Sequence, residues 1–190
     1  MRRTDLQPRR RPGRHRVLSL LLGAAFLNIA FGSIERGVPP QPNVVIVMVD
    51  DLGWQDVSLP LGPETTEFNR RYRTPNLERL ASRGVVFTDA YAASPVCTPT
   101  RTSLMTGRHP ARSGITYWTL HADRDNSTRH PRLKNPKWRL EGLSAEDTTL
   151  PGLLQDAGYR TIHIGKAHFG AIGTSGADPT NLGFETNIAG

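Results

Sequence analysis

Asn43-Val44-Val45-Ile46-Val47-Met48-Val49 is an unbroken, β-branched apolar run, and Asp50-Asp51-Leu52-Gly53 ends it at once. A segment apolar on both faces has no side for water. It therefore reads as a strand buried in the middle of a sheet, with two aspartates at its carboxyl end. The chain then repeats a helix–strand grammar. Thr74 to Gly84 offers an N-cap candidate, Pro75 at the first helical position, apolar Leu77, Leu80 and Ala81, and a glycine stop. Val85-Val86-Phe87 follows as a predicted strand. Thr149 to Gly158 is a second short helix closed by glycine, followed by a predicted strand over Arg160-Thr161-Ile162-His163-Ile164. Such alternation predicts an α/β domain on a largely parallel sheet. Between these units, roughly Trp118 to Asp147 is polar and without period, and is predicted to be a long surface loop. Its sequon, Asn126-Ser127-Thr128, is a common accident of sequence and carries little weight.

The 190 residues hold 24 Lys+Arg against 17 Asp+Glu, and a net charge of +7 raises the question of nucleic acid. The first sixteen residues answer it. They hold seven of the basic residues (Arg2, Arg3, Arg9, Arg10, Arg11, Arg14 and Arg16) and one acid, Asp5, which leaves 17 basic against 16 acidic residues in everything after them. The body is close to neutral, so no basic stripe faces a phosphate backbone and no nucleic-acid partner is expected. The arginine-rich start runs into the apolar stretch Val17 to Leu27 and then into the small residues Ala30, Gly32 and Ser33. This is the order of a secretory signal peptide. The apolar run is short of the roughly 20 residues that span a bilayer. Residues 1–33 are thus predicted to be a cleaved signal peptide and 34–42 a Pro-rich linker. Residues 43–190 are predicted to be the folded part of a secreted or periplasmic protein that meets a membrane only through its signal segment.

One cysteine excludes an internal disulfide framework and a CxxC zinc site. HExxH, GxSxG and GxGxxG are absent, and Gly165-Lys166 is no phosphate loop, because Arg160 and Ala167 stand where glycine and Ser/Thr are needed. The glycine-rich stretch Gly165 to Gly176 is predicted to be a mobile loop. Two features remain. Asp50 and Asp51 leave the carboxyl end of a predicted strand, the place where open α/β sheets bind ligands, and a cation with oxygen ligands would relieve their mutual repulsion. A solvated turn is the alternative reading of the same residues. Cys97 precedes Thr98 as N-cap candidate and Pro99 at the predicted first helical position, with Arg101 one turn along. A thiol there is electropositive in its setting and accessible, whereas an isolated cysteine elsewhere would be an inert core residue.

The order Cys97-Thr98-Pro99-Thr100-Arg101, followed by Thr106-Gly107, resembles the C-x-P-x-R signature of the type I sulfatases. Asn43 to Gly53 is similar to that family's first strand with its paired aspartates, Thr74 to Phe87 to its "TPNLDRLA" helix and strand, and Gly165-Lys166-Ala167-His168 to its "GK-x-H" motif. The resemblance covers roughly Pro42 to Gly190. It implies an alkaline-phosphatase-like α/β fold, with a mixed, largely parallel sheet between helices, and hydrolysis of sulfate monoesters to alcohol and inorganic sulfate. It assigns Asp50 and Asp51 to a calcium ion. Cys97, oxidised to formylglycine, would bind the same ion and attack sulfur. Arg101 would stabilise the formylglycine hydroxyls, Lys166 would contact nucleophile and sulfate, and His168 would hydrogen-bond a hydroxyl and help to expel sulfate.

The partners implied are a sulfated small molecule or carbohydrate and a formylglycine-generating maturation enzyme. Family members run to several hundred residues and draw the rest of their site from downstream, so the chain is expected to be truncated before its C-terminal part and to carry about half of the site. A phosphonate or phosphate ester hydrolase of the same superfamily, and an inactive anion-binding fragment, are the alternative functions.

Overall fold

The computed structural model describes residues 41–127 and 130–190. The predicted signal peptide, nearly all of the predicted linker and Thr128 of the sequon lie outside the described residues. The described chain falls into two units, 41–47 and Met48–Gly190. In the first, the backbone forms neither helix nor ladder. Within Met48–Gly190 the elements are helix α1 (Pro75–Ala81), α2 (Cys97–Thr106), α3 (Pro110–Ser113), α4 (Leu150–Asp156), strand β1 (Ile162–Ile164) and β2 (Thr186–Ile188). Short 3-10 turns cover Asn69–Arg71, Ser175–Ala177 and Pro179–Leu182. No helix among the described residues is long and apolar enough to cross a membrane.

Proline and glycine set most of the boundaries. α1 and α3 each have proline at their first position, where the missing N–H has no helical partner in any case. α2 ends at Gly107 with φ 64° and α3 at Gly114 with φ 73°, left-handed caps that cost a glycine little. Thr149 caps α4 by accepting from the Gly152 N–H at 3.3 Å. Thr74 does not cap α1. Its Oγ1 instead accepts from the Ser58 backbone N–H at 3.0 Å, tying the helix to the segment before it.

The sheet is smaller than the sequence predicts. Among the described residues it consists of β1 and β2 alone, parallel, with Ile162 opposite Thr186 and Ile164 opposite Ile188. The apolar run at 43–49 and the stretch Val85-Val86-Phe87, both predicted as strands, form no ladder, and Val45, Val85 and Phe87 are largely exposed. A strand is a pairing and not a local conformation; without a neighbour offering N–H and C=O groups, β-branched residues alone do not make one.

The core lies elsewhere. Met105, Ile115, Leu143, Ala167, Phe169 and Leu182 pack together, with Phe184 against them. Phe169 and Phe184 stack at 6.5 Å between ring centres, and the His163 ring meets each edge-on. This corrects two expectations. Among the described residues the stretch 118–147 has no regular helix or strand, as predicted, but it is not confined to the surface: Thr119 and Leu143 are fully buried. The stretch Gly165–Gly176, predicted as a loose loop, is packed, with Ala167, Phe169 and Ala171 in the interior.

Glycine makes that packing possible. A Cβ on Gly170 would lie 2.6 Å from the Gly176 carbonyl carbon, and one on Gly176 would overlap the Leu143 carbonyl. Gly142 and Gly170 form an isolated antiparallel bridge, and Leu143 N–H donates to Phe169 O at 2.8 Å. Arg139 grips Asp147 with two parallel bonds of 3.1 and 2.9 Å, while Ser144 N–H donates to the same carboxylate at 2.8 Å. The Arg139 hydrogen bond, ahead of all other causes, holds the Asp147 carboxyl below its ordinary 3.8.

Two outcomes are expected from this packing. Gly176→Ala forces a methyl group into backbone and should lower unfolding free energy by more than about 2 kcal/mol in denaturant titrations, as overpacking of a tight core does. Asp147→Ala should cost about 1–3 kcal/mol at neutral pH, the scale of a charge-assisted bond lost with its partner left behind. Because the Asp147 pKa is depressed in the fold, the stability it adds is complete above about pH 3.8 and fades as pH falls through the native value. The gap between wild type and variant should therefore close on acidification, and a gap that widens would refute the pairing.

Candidate active site

Met48 to Leu52, Ser94 to Cys97, Thr100 and Arg101 line a pocket of about 340 Å³. Asp50 and Asp51 turn the chain at its rim, with Asp51 in the left-handed region at φ 57°. Val96 is extended at φ −129° and Cys97 opens α2, so Pro99 sits third in the helix and Thr98 is inside it. This moves the helix start ahead of the predicted N-cap at Thr98. Pro99 is still within the first turn, where its absent N–H breaks no helical bond. Cys97 is half-buried and its thiol is unpaired with any other cysteine.

One cation, Lys166, reaches that thiol, and Asp50 and Arg101 hold Lys166 in place. Lys166 Nζ donates to Asp50 Oδ2 at 2.5 Å and to Cys97 Sγ at 3.3 Å. Arg101 Nη2 lies 3.3 Å from Asp50 Oδ1, and its Nη1 donates to the Lys166 carbonyl at 2.5 Å. Arg101 is buried to 7% exposure, and its Nε finds no partner among the described residues. The Lys166 ammonium, bonded first to Asp50 and then to Cys97, is held above its ordinary 10.5. The same Lys166 bond, with Arg101 adding to it, holds the Asp50 carboxyl below 3.8. Both groups are therefore charged across the neutral range.

Of the residues singled out from sequence, Asp50, Cys97, Arg101 and Lys166 form one contact cluster, and Asp51 lines the same pocket. His168 stands two residues beyond Lys166, in the left-handed region at φ 51°, and its Nε2 bonds the Thr119 carbonyl at 2.5 Å. Sequence reasoning missed Thr119, which sits in a stretch read as surface. It also treated Thr98 only as a cap, whereas Thr98 is fully buried and its Oγ1 accepts from the Thr119 N–H at 3.1 Å. The only available signal was a hydroxyl beside the cysteine.

Asp50 and Asp51 offer the hard carboxylate oxygens that calcium selects, but the ion takes roughly six to eight oxygens in all. Among the described residues no three His, Cys, Asp or Glu side chains gather to hold a metal. The residues present fit part of a calcium shell. Cys97 as a thiol is a soft donor and joins such a shell only if oxygen replaces its sulfur.

The chain matches the Sulfatase family model over residues 42–190. It is 36% identical over 141 residues to N-acetylgalactosamine-6-sulfatase of Mus musculus, covering 74% of this chain and 24% of that protein. It is 40% identical over 136 residues to steryl-sulfatase of Homo sapiens, covering 72% of this chain and 20% of that protein. The solved structure of Ps i-CgsB superposes with a TM-score of 0.52 at 32% identity, over 74% of this chain and 27% of that one; that protein has also been solved in complex with k-i-k-neocarrahexaose. The chain spans about a quarter of the length of the relatives it matches. The Cys97 helix, the Asp50 turn and the Lys166 segment all fall inside the matched region, and this chain belongs to the sulfatase family.

Proposed function

We propose that this chain carries the nucleophile-bearing portion of a secreted or periplasmic sulfuric ester hydrolase. It would act on a sulfated small molecule or carbohydrate, within an alkaline-phosphatase-like fold whose larger sheet takes up the runs 43–49 and 85–87. The observation that carries the reading is the cluster in which Lys166 bridges Asp50 and Cys97 while Arg101 clamps Asp50 and the Lys166 backbone. Formylglycine made from Cys97 would supply one hydroxyl to attack sulfur and a second whose collapse to the carbonyl releases sulfate, while calcium held in part by Asp50 and Asp51 would polarise a sulfate oxygen. A sulfate monoester repels nucleophiles because its own oxygens are negative. Arg101 and Lys166 offset that charge from fixed positions, which is where preorganised cations act most strongly. Asp50 holds the Lys166 ammonium where it also donates to residue 97. His168 would handle the proton of the hydroxyl that collapses. A maturation enzyme that oxidises Cys97 is the partner the reading requires.

Expressed with a formylglycine-generating enzyme, in a host shown to modify a control sulfatase, the chain should yield a Cys97 peptide that has lost sulfur and gained oxygen by mass spectrometry. Arg101→Ala should suppress the change. A Cys97 that stays an alkylatable thiol in that host would remove the nucleophile from this account. In a modified full-length protein that supplies the rest of the shell, Asp51→Asn should lower calcium affinity by roughly tenfold or more in calorimetric titrations, since charge count tunes such sites over that scale. Unchanged affinity would reduce the aspartate pair to a turn.

A further inference from the structure

His168 does not touch Cys97 through any bond among the described residues, yet hydrogen bonds through Thr98 and Thr119, both buried, join the two. Thr98, the residue after Cys97, accepts from Thr119 N–H at 3.1 Å; the Thr119 carbonyl meets His168 Nε2 at 2.5 Å; and the Thr119 hydroxyl donates to the Leu140 carbonyl. Lys166 then returns to Cys97 Sγ at 3.3 Å, and Arg101 bonds the Lys166 carbonyl. Two backbone links, Cys97 to Thr98 and Lys166 through Ala167 to His168, close these bonds into a loop: Cys97–Thr98, Thr119, His168, and Lys166 back to Cys97. Thr98 and Thr119 are both fully buried, so each of these backbone and hydroxyl groups would be costly to leave unpaired.

The loop decides where the imidazole proton sits. A carbonyl oxygen only accepts, so His168 Nε2 must carry the hydrogen it gives to Thr119. Nδ1 is then the ring's acceptor, and it is buried without a partner among the described residues. A proton on Nδ1 as well would be a buried donor with nothing to bond. The φ of 51° at His168 is a further sign of constraint, because a non-glycine residue occupies that region only where its surroundings hold it.

We propose that Thr98 is a positioning residue for His168: through Thr119 it fixes the imidazole as the Nε2–H tautomer and leaves Nδ1 as the free base. In a chain that works as proposed above, Nδ1 is then the atom that takes a proton from the hydroxyl on residue 97, and this role rests on that reading. The tautomer does not. In the C-x-P-x-R pattern, position 98 is the unspecified residue, and here it is the one that couples the helix start to the histidine.

The test is nitrogen NMR of the intact, isotope-labelled chain with Cys97 unmodified, at a pH where the His168 ring is neutral, with His168→Gln identifying the resonances. Wild type should show a protonated-type signal at Nε2 and an unprotonated-type signal at Nδ1. Thr98→Val keeps the shape and removes the acceptor, and its two His168 signals should move toward a tautomeric average, whereas Thr98→Ser should restore the wild-type pair. A proton on Nδ1 in wild type would overturn the proposal without any variant having to fold, as would a wild-type pattern in Thr98→Val. A chain that shows the expected tautomer but never forms formylglycine would sink the functional reading and leave this one standing.

Discussion

Arg101 has to find partners in the interior, and the surrounding structure supplies them to its two terminal nitrogens. A guanidinium stays charged at any accessible pH and presents donors in a rigid fork, so burying it demands both an anion and acceptors at set angles. Asp50 supplies the anion and the Lys166 carbonyl the second acceptor. Those two partners come from segments far apart in the chain, which means that satisfying one side chain fixes the turn at Asp50, the first turn of α2 and the backbone before His168 together. Removing the anion would leave a buried, uncompensated charge, the expensive way to break such a pair.

The site residues were more legible than the architecture. Cys97, Arg101 and the aspartates could be named because their chemistry and spacing are unusual: one cysteine at a proline-marked helix start with an arginine one turn along, and two adjacent acids ending an apolar run; Lys166 and His168 entered only through the resemblance of Gly165-Lys166-Ala167-His168 to a family motif. Helices α1 and α4 were legible for a similar reason, since Pro75, Pro151 and the glycines that follow them act through local sterics. Strands were less so. Ile162–Ile164 pairs as expected, but 43–49 and Val85–Phe87 have the composition of strands and no neighbour to pair with among the described residues, and pairing is settled by residues distant in sequence.

The most instructive error concerns small residues. Gly170 and Gly176 fall in a stretch predicted to be a mobile loop and Gly142 in one predicted to be surface, yet they lie where three backbones meet so closely that no Cβ fits. Nothing in the local sequence separates a glycine needed for freedom from one needed for close approach. Thr119 was lost in the same way: a threonine in a polar, aperiodic stretch gives no sign that its N–H, hydroxyl and carbonyl are all committed inside the fold.

The bonds of the cluster also have a temporal meaning. Asp50 and Lys166 are 116 residues apart, Cys97 and Lys166 are 69, and Arg101 and the Lys166 carbonyl are 65. Contacts of such long sequence separation form slowly, because the chain between them must be closed first, whereas short helices assemble from neighbours. Thr98, Pro99 and Arg101 are shut away only when Thr119 and the Lys166 segment arrive. Until then the stretch around Cys97 lies open as bare chain. For the maturation enzyme proposed above, the interactions that order the site would thus act as a clock, setting how long Cys97 lies in bare chain before the fold leaves it half-buried beside Lys166.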